Sequence, residues 1–198
     1  MEAMKMPWAK SFDVTETLEK AMQAFWSHGY EATSMQDLVD CTGINRGSLY
    51  ATYGDKRALF LAALRMYDSK MRRELLAKLE AGNTPHEAIR ALFQAFMDDV
   101  LEGGSNRGCL LTNTALELAA HDPEVAQIVA HAQEQMEGFF ARMIAEGRKR
   151  GEIPDHVDVE DAARGLLASL IGLVVLVRSR PDKALLQSIV EDAMRRLD

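Results

Sequence analysis

TSMQDLVDCTGINRGSLYATYGDK, residues Thr33 to Lys56, reads as two short helices joined by a tight glycine turn, with a third helix starting immediately behind. Leu38, Val39 and Thr42 give the first helix an apolar side. Thr33 or Ser34 can cap it, since Thr33 with Gln36 fits the Thr-x-x-Gln capping box. Gly43 ends it by supplying the left-handed residue of a sharp turn, and Ile44 can drop into the core beneath both helices. Asn45 restarts the chain as an N-cap whose side chain takes the amide of Gly47 or Ser48. The pattern is a helix-turn-helix over residues 34–53.

The restarted helix carries Arg46, Gly47, Ser48, Tyr50 and Thr52 around two apolar anchors, Leu49 and Tyr53. Such a face suits a groove better than a core, because a corner that merely packs has no need of that set of donors. Gly47 removes a side chain where the backbone would approach a partner closely. Lys56 and Arg57, in the first turn of a helix opening at Asp55, oppose the helix dipole unless an anion such as a DNA phosphate sits at that end. The expected DNA-contacting set is Thr33, Ser34, Asn45, Arg46, Gly47, Ser48, Tyr50, Thr52, Tyr53 and Lys56.

Together with Phe25, Gly29-Tyr30, Thr33-Ser34, Leu38, Gly43-Ile44, Gly47-Ser48-Leu49-Tyr50 and Lys56-x-x-Leu59, the stretch resembles the N-terminal signature of the TetR/AcrR transcriptional regulators over about 45 residues. One departure stands out. That family commonly has Tyr-x-Tyr-Phe at the end of the recognition helix, whereas this chain has Tyr50-Ala51-Thr52-Tyr53, so a phosphate contact often made by the second aromatic must come from Thr52 or be absent. The resemblance implies a homodimer that binds double-stranded DNA at an inverted-repeat operator. It also implies a repressor released by a small hydrophobic effector, with no cofactor.

Composition agrees with an all-helical protein: 198 residues, 47% hydrophobic, five prolines, and strong helix formers throughout. Cys41 and Cys109 are too few for a disulfide framework and match no zinc spacing, which suits a reducing cytoplasm. The opening MEAMKMPWAKSFD lacks the apolar centre of a signal peptide. Gly165 to Val177 is the longest apolar run, well short of the roughly 20 residues that span a bilayer, so no membrane partner is expected. The net charge of -7 argues against a protein that coats nucleic acid generally. Through Arg57 there are six basic and eight acidic side chains. DNA affinity must then come from a few placed cations and from doubling in a dimer. Lys10 is a further candidate phosphate contact.

Along the chain, Val14, Leu18, Ala21, Met22, Phe25 and Trp26 predict a first helix that closes a three-helix head. Leu59, Phe60, Ala63, Leu64, Tyr67, Met71, Leu75, Leu76 and Leu79 predict one continuous helix from Asp55 to about Ala81. Further helices are expected from Pro85 to about Glu102, Cys109 to Ala120, Pro123 to Arg150, Asp158 to about Arg178, and Pro181 to Leu197. The fold expected is all-α: a helix-turn-helix head over residues 11–71 and a helical ligand-binding and dimerisation domain over 72–198.

Phe93, Phe96, Met97, Met136, Phe139, Phe140 and Met143 are large, soft side chains that can line an adaptable pocket, although the same residues would serve as plain core. Cys109 joins this set. At a helix start beside Arg107 it suits a reactive thiolate; next to Leu110 and Leu111 it equally suits a small buried hydrophobe. Cys41, between Leu38 and Ile44, is expected in the head's core. Family resemblance places the dimer interface on the last two helices, with Leu166, Leu170, Ile171, Val174, Leu186, Ile189 and Val190 as candidates. Glu117 and His121, four apart, could share a helix face, but no third ligand follows at a matching spacing, and no nucleophile, paired-acid or phosphate-loop motif appears. A helical enzyme or a protein-interaction adaptor is the alternative, and it leaves the groove-facing residues unexplained.

Overall fold

The computed structural model describes residues 12–101, 104 and 106–198, and among these every regular element is helical. Lys10, Glu102, Gly103 and Ser105 lie outside the described residues. The chain divides into two compact units, one ending at Met66 and the other beginning at Tyr67.

In the first unit, α1 (Val14–His28) is capped by Asp13, whose carboxylate accepts from the amides of Thr15 and Glu16. The helix-turn-helix consists of α2 (Met35–Thr42) and α3 (Arg46–Tyr53), with α4 (Lys56–Met66) behind it. Phe25 from α1 meets Phe60 from α4 edge-on at 5.0 Å between ring centroids, and Tyr30 covers Phe60 at 4.9 Å. Leu38, Leu49, Leu59 and Leu64 fill the remaining centre with almost no exposure. Each short helix thus puts one leucine into a shared core, which is how helices of eight residues become stable in water.

The second unit opens with a π-helical segment, Tyr67–Arg73, followed by α5 (Glu74–Gly82). The expected single α-helix from Asp55 to Ala81 is corrected here: its middle is wound more widely. The winding turns Asp68 and Arg72 inward and leaves Met71 exposed, the reverse of what the apolar stripe through Tyr67, Met71 and Leu75 predicts. α6 (Pro85–Leu101), α7 (Leu110–Glu117), α8 (Pro123–Arg150), α9 (Val159–Ser179) and α10 (Lys183–Met194) complete it, with a last 3-10 turn over Arg195–Leu197.

α8 and α9 form the spine, flanked by α6, α7 and α10. Phe93, Phe139 and Phe140 pack together at its centre, with centroids 5.7 to 6.1 Å apart along the cluster. At the end of α8, Gly147 lets Ile153 fold back: a Cβ there would stand 2.7 Å from Ile153 Cδ1. α9 is the one helix among the described residues long and apolar enough to cross a bilayer. It packs on α8, α10 and α6 of its own unit, as a central helix does.

Candidate functional site

Local chemistry presents α3. Ser34 caps α2 in a reciprocal box with Asp37, the hydroxyl taking the Asp37 amide at 3.1 Å and the carboxylate taking the Ser34 amide at 2.8 Å. The Ser34 hydroxyl, donating to Asp37 Oδ2 at 2.7 Å, and then the Ser34 amide hold the Asp37 carboxyl below its usual pKa. The box uses Ser34 and Asp37 rather than Thr33 and Gln36, because Thr33 is buried with its hydroxyl donating to Gly29 O at 2.6 Å. Thr33 is therefore removed from the groove-facing set. Gly43 takes φ 72°, the left-handed turn residue, and Asn45 Oδ1 accepts from the Ser48 amide at 2.9 Å to start α3.

With Leu49 pointing into the core, α3 exposes Asn45, Arg46, Gly47, Tyr50 and Ala51, and half-exposes Ser48 and Thr52. The Arg46 guanidinium lies 5.8 Å from the Tyr50 ring centroid, so cation and aromatic form one raised patch. Nothing but the Asn45 side chain approaches the open position at Gly47. Tyr53 is half-buried, its hydroxyl donating to Val14 O at 3.0 Å, so it fastens α3 to α1. Lys56 Nζ sits 4.2 Å over the Tyr30 ring, which holds that cation at the start of α4. Asp55 carries its own carboxylate there, accepting from the Ala58 amide at 2.7 Å. Part of the anion role expected of a phosphate is thus filled within the chain. Cys41 is exposed rather than in the core, since Leu38 and Thr42 take the inward positions on either side of it.

The second unit holds a cavity of about 50 Å³ lined by residues of the π-helical segment, α6, α7, α8 and α9. Phe96, Cys109 and Met136 of the expected pocket set line it. Phe93, Phe139 and Phe140 do not, because they are spent on one another in the core, and Met97 and Met143 lie elsewhere. The sequence reading missed Arg72, the charged residue of the lining. Its signal was the Asp68 to Arg72 spacing of four beside Tyr67, inside a run that resembles a solvated face. Burial, and then the neighbouring Cys109, hold the Tyr67 hydroxyl well above its usual pKa.

On α9 and α10 the expected partner-facing set needs correction. Leu166, Leu170, Val174, Leu186 and Val190 are buried within their own chain, and Ile171 and Ile189 are half-buried. The outward strip of α9 is instead Arg164, Ala168, Gly172 and Val175. Leu166 and Leu170 sit two positions, and Val174 one, from this outward strip, and an apolar pattern on both sides of a helix does not say which side is which. Glu117 closes α7 and His121 lies past its end, so they share no helix face. Among the described residues no three His, Cys, Asp or Glu side chains gather to hold a metal.

Residues 18–63 match the family described as "Bacterial regulatory proteins, tetR family", and residues 85–193 match the "Tetracyclin repressor-like, C-terminal domain". The HTH-type transcriptional regulator YezE of Bacillus subtilis is 34% identical over 96% of this chain and 98% of its own length. The HTH-type transcriptional repressor ComR of Escherichia coli is 30% identical over 94% of this chain and 89% of its own. A cysteine-substituted form of the TetR family regulator CifR, solved on a 26-base-pair double-stranded operator DNA, superposes with a TM-score of 0.81 at 27% identity, covering 97% of this chain and 100% of that one. Signature, fold and relatives agree: the chain belongs to the TetR family of DNA-binding transcriptional regulators.

Proposed function

We propose that the protein is a homodimeric repressor whose head, read from the sequence as residues 11–71, binds an inverted-repeat operator, and whose remainder, 72–198, responds to a small effector. The observation that carries the DNA reading is the exposed set Asn45, Arg46, Gly47 and Tyr50 on a helix fixed from beneath by Leu49 and Tyr53. Arg46 suits a base edge in the major groove. Ser34, Thr52 and the pinned Lys56 suit phosphates on either side.

The dimer reading rests on Ala168, Gly172 and Val175 of the outward strip of α9 and on Leu185 and Ile189 of α10, apolar or small positions that a second copy would cover. The effector reading rests on the cavity. Drug-sized ligands occupy roughly 300–1,000 Å³, so one entering a space of about 50 Å³ must push the lining apart. That requirement gives it different affinities for two arrangements of the domain, which is what release from DNA demands. A cytoplasmic location follows from a DNA-binding role and from two unpaired thiols.

Selection from a pool of randomised duplexes at moderate salt tests the reading. It should enrich an inverted repeat with half-sites about one helical turn, or a multiple of it, apart. Failure to enrich any sequence would contradict it.

A further inference from the structure

Arg72 is 7% exposed and lines the cavity, and its Nη1 has no hydrogen-bond partner. The other nitrogens are engaged: Nε donates to Asp68 Oδ1 at 2.5 Å and Nη2 to Gln135 Oε1 at 2.5 Å. Asp68 is shared. Its second oxygen accepts from Arg73 Nε at 2.9 Å, so one carboxylate faces two guanidinium groups while Gln135 brings no charge. A buried arginine with an unpaired donor and half a counter-ion is costly unless something else completes it. Phe96, Leu111, Val129, Met136, Leu170 and Val174 give the rest of the space an apolar wall, and no other charged side chain lines it.

From this we infer that the effector is a carboxylate with an apolar body, its head group held by Arg72. The inference rests on the effector reading above. The carboxylate takes the free Nη1 and supplies the missing charge, while the hydrocarbon part wedges against the aliphatic wall. Arg72 belongs to the π-helical segment, and such windings are rare and concentrated at functional sites. A carboxylate on Nη1 draws the guanidinium toward the cavity and so loads its bonds to Asp68 and Gln135, two contacts of this segment. α4 runs directly into it, so a change of winding has a covalent route to the head.

The test titrates the full chain with hexanoate, octanoate, benzoate and phenylacetate, each beside its amide, by calorimetry and by release of the selected operator. At least one acid should bind about tenfold or more tighter than its amide. Arg72→Met should abolish that preference. If stranding Asp68 prevents folding, Asp68→Asn with Arg72→Met removes both charges together. Met136→Trp, which fills the cavity without touching the ion pair, should abolish binding of the acid with the melting temperature kept. No acid exceeding its amide, or acid binding that survives Met136→Trp, would overturn the inference. Amides that bind and release DNA as well as the acids do would overturn it while sparing the effector reading. Acid binding in the cavity with no change in operator affinity would contradict the effector reading alone.

Discussion

The Tyr53 hydroxyl and the Val14 carbonyl, 39 residues apart in sequence, meet at 3.0 Å and close the head by tying the end of the recognition helix to the start of α1. The bond gives Tyr53 a mechanical role beside the direct groove contact expected of it. Tyr53→Phe keeps the ring and removes the bond, so it should cost about 1 kcal/mol of head stability. Binding to operator and scrambled DNA should weaken together. Thermal melts paired with anisotropy titrations check this; a loss of discrimination at unchanged melting temperature would make Tyr53 a reader of DNA.

Tyr67 predicts a loss of stability in alkali. Burial, with Cys109 second, raises its pKa in the folded chain, so the folded protein keeps a proton that the unfolded chain gives up at about pH 10. The sign follows: stability from this group is complete below about pH 10 and falls as pH rises toward the folded value, by at most about 1.4 kcal/mol per pH unit. Urea midpoints at pH 9 and pH 11 should fall less in Tyr67→Phe than in the wild type. Equal falls would contradict the assignment.

The faces of α9 make a paired prediction. Val175→Glu places a charge on the outward strip and should give folded monomers with weak operator binding. Val174→Glu, one residue away, buries a charge inside the chain at a position only 2% exposed, and should unfold the domain. Light scattering and circular dichroism separate the two. A dimeric Val175→Glu would exclude this strip as the interface.

What could be read in advance was local. Gly43, Asn45, Pro85 and Asp158 mark helix ends through chemistry confined to a few neighbouring residues, and so does Ser34, although Thr33-x-x-Gln36 competed with it until the burial of Thr33 decided. The π-helical segment escaped because Leu64, Tyr67, Met71 and Leu75 also fit an α-helical stripe, and only tertiary packing reveals that Asp68 and Arg72 face inward. The cavity was legible in part, at Phe96, Cys109 and Met136, and the rest of its lining was not. Aromatic volume at Phe93, Phe139 and Phe140 signals a crowded region, but whether rings fill a space or border it depends on what stands opposite each of them. Arg72, in a run of polar residues, carried no apolar signal at all.

In the proposed docking, α3 reads sequence while the start of α4 supplies charge. Arg46→Ala and Lys56→Ala, titrated across a salt series on the selected operator and on a scrambled duplex, measure it most directly. Arg46→Ala should cost roughly 1–3 kcal/mol on the operator and far less on scrambled DNA. Lys56→Ala should weaken both nearly equally and reduce the salt slope by about one. Equal losses on both duplexes for Arg46→Ala, with a wild type that does not distinguish them, would contradict this division of roles.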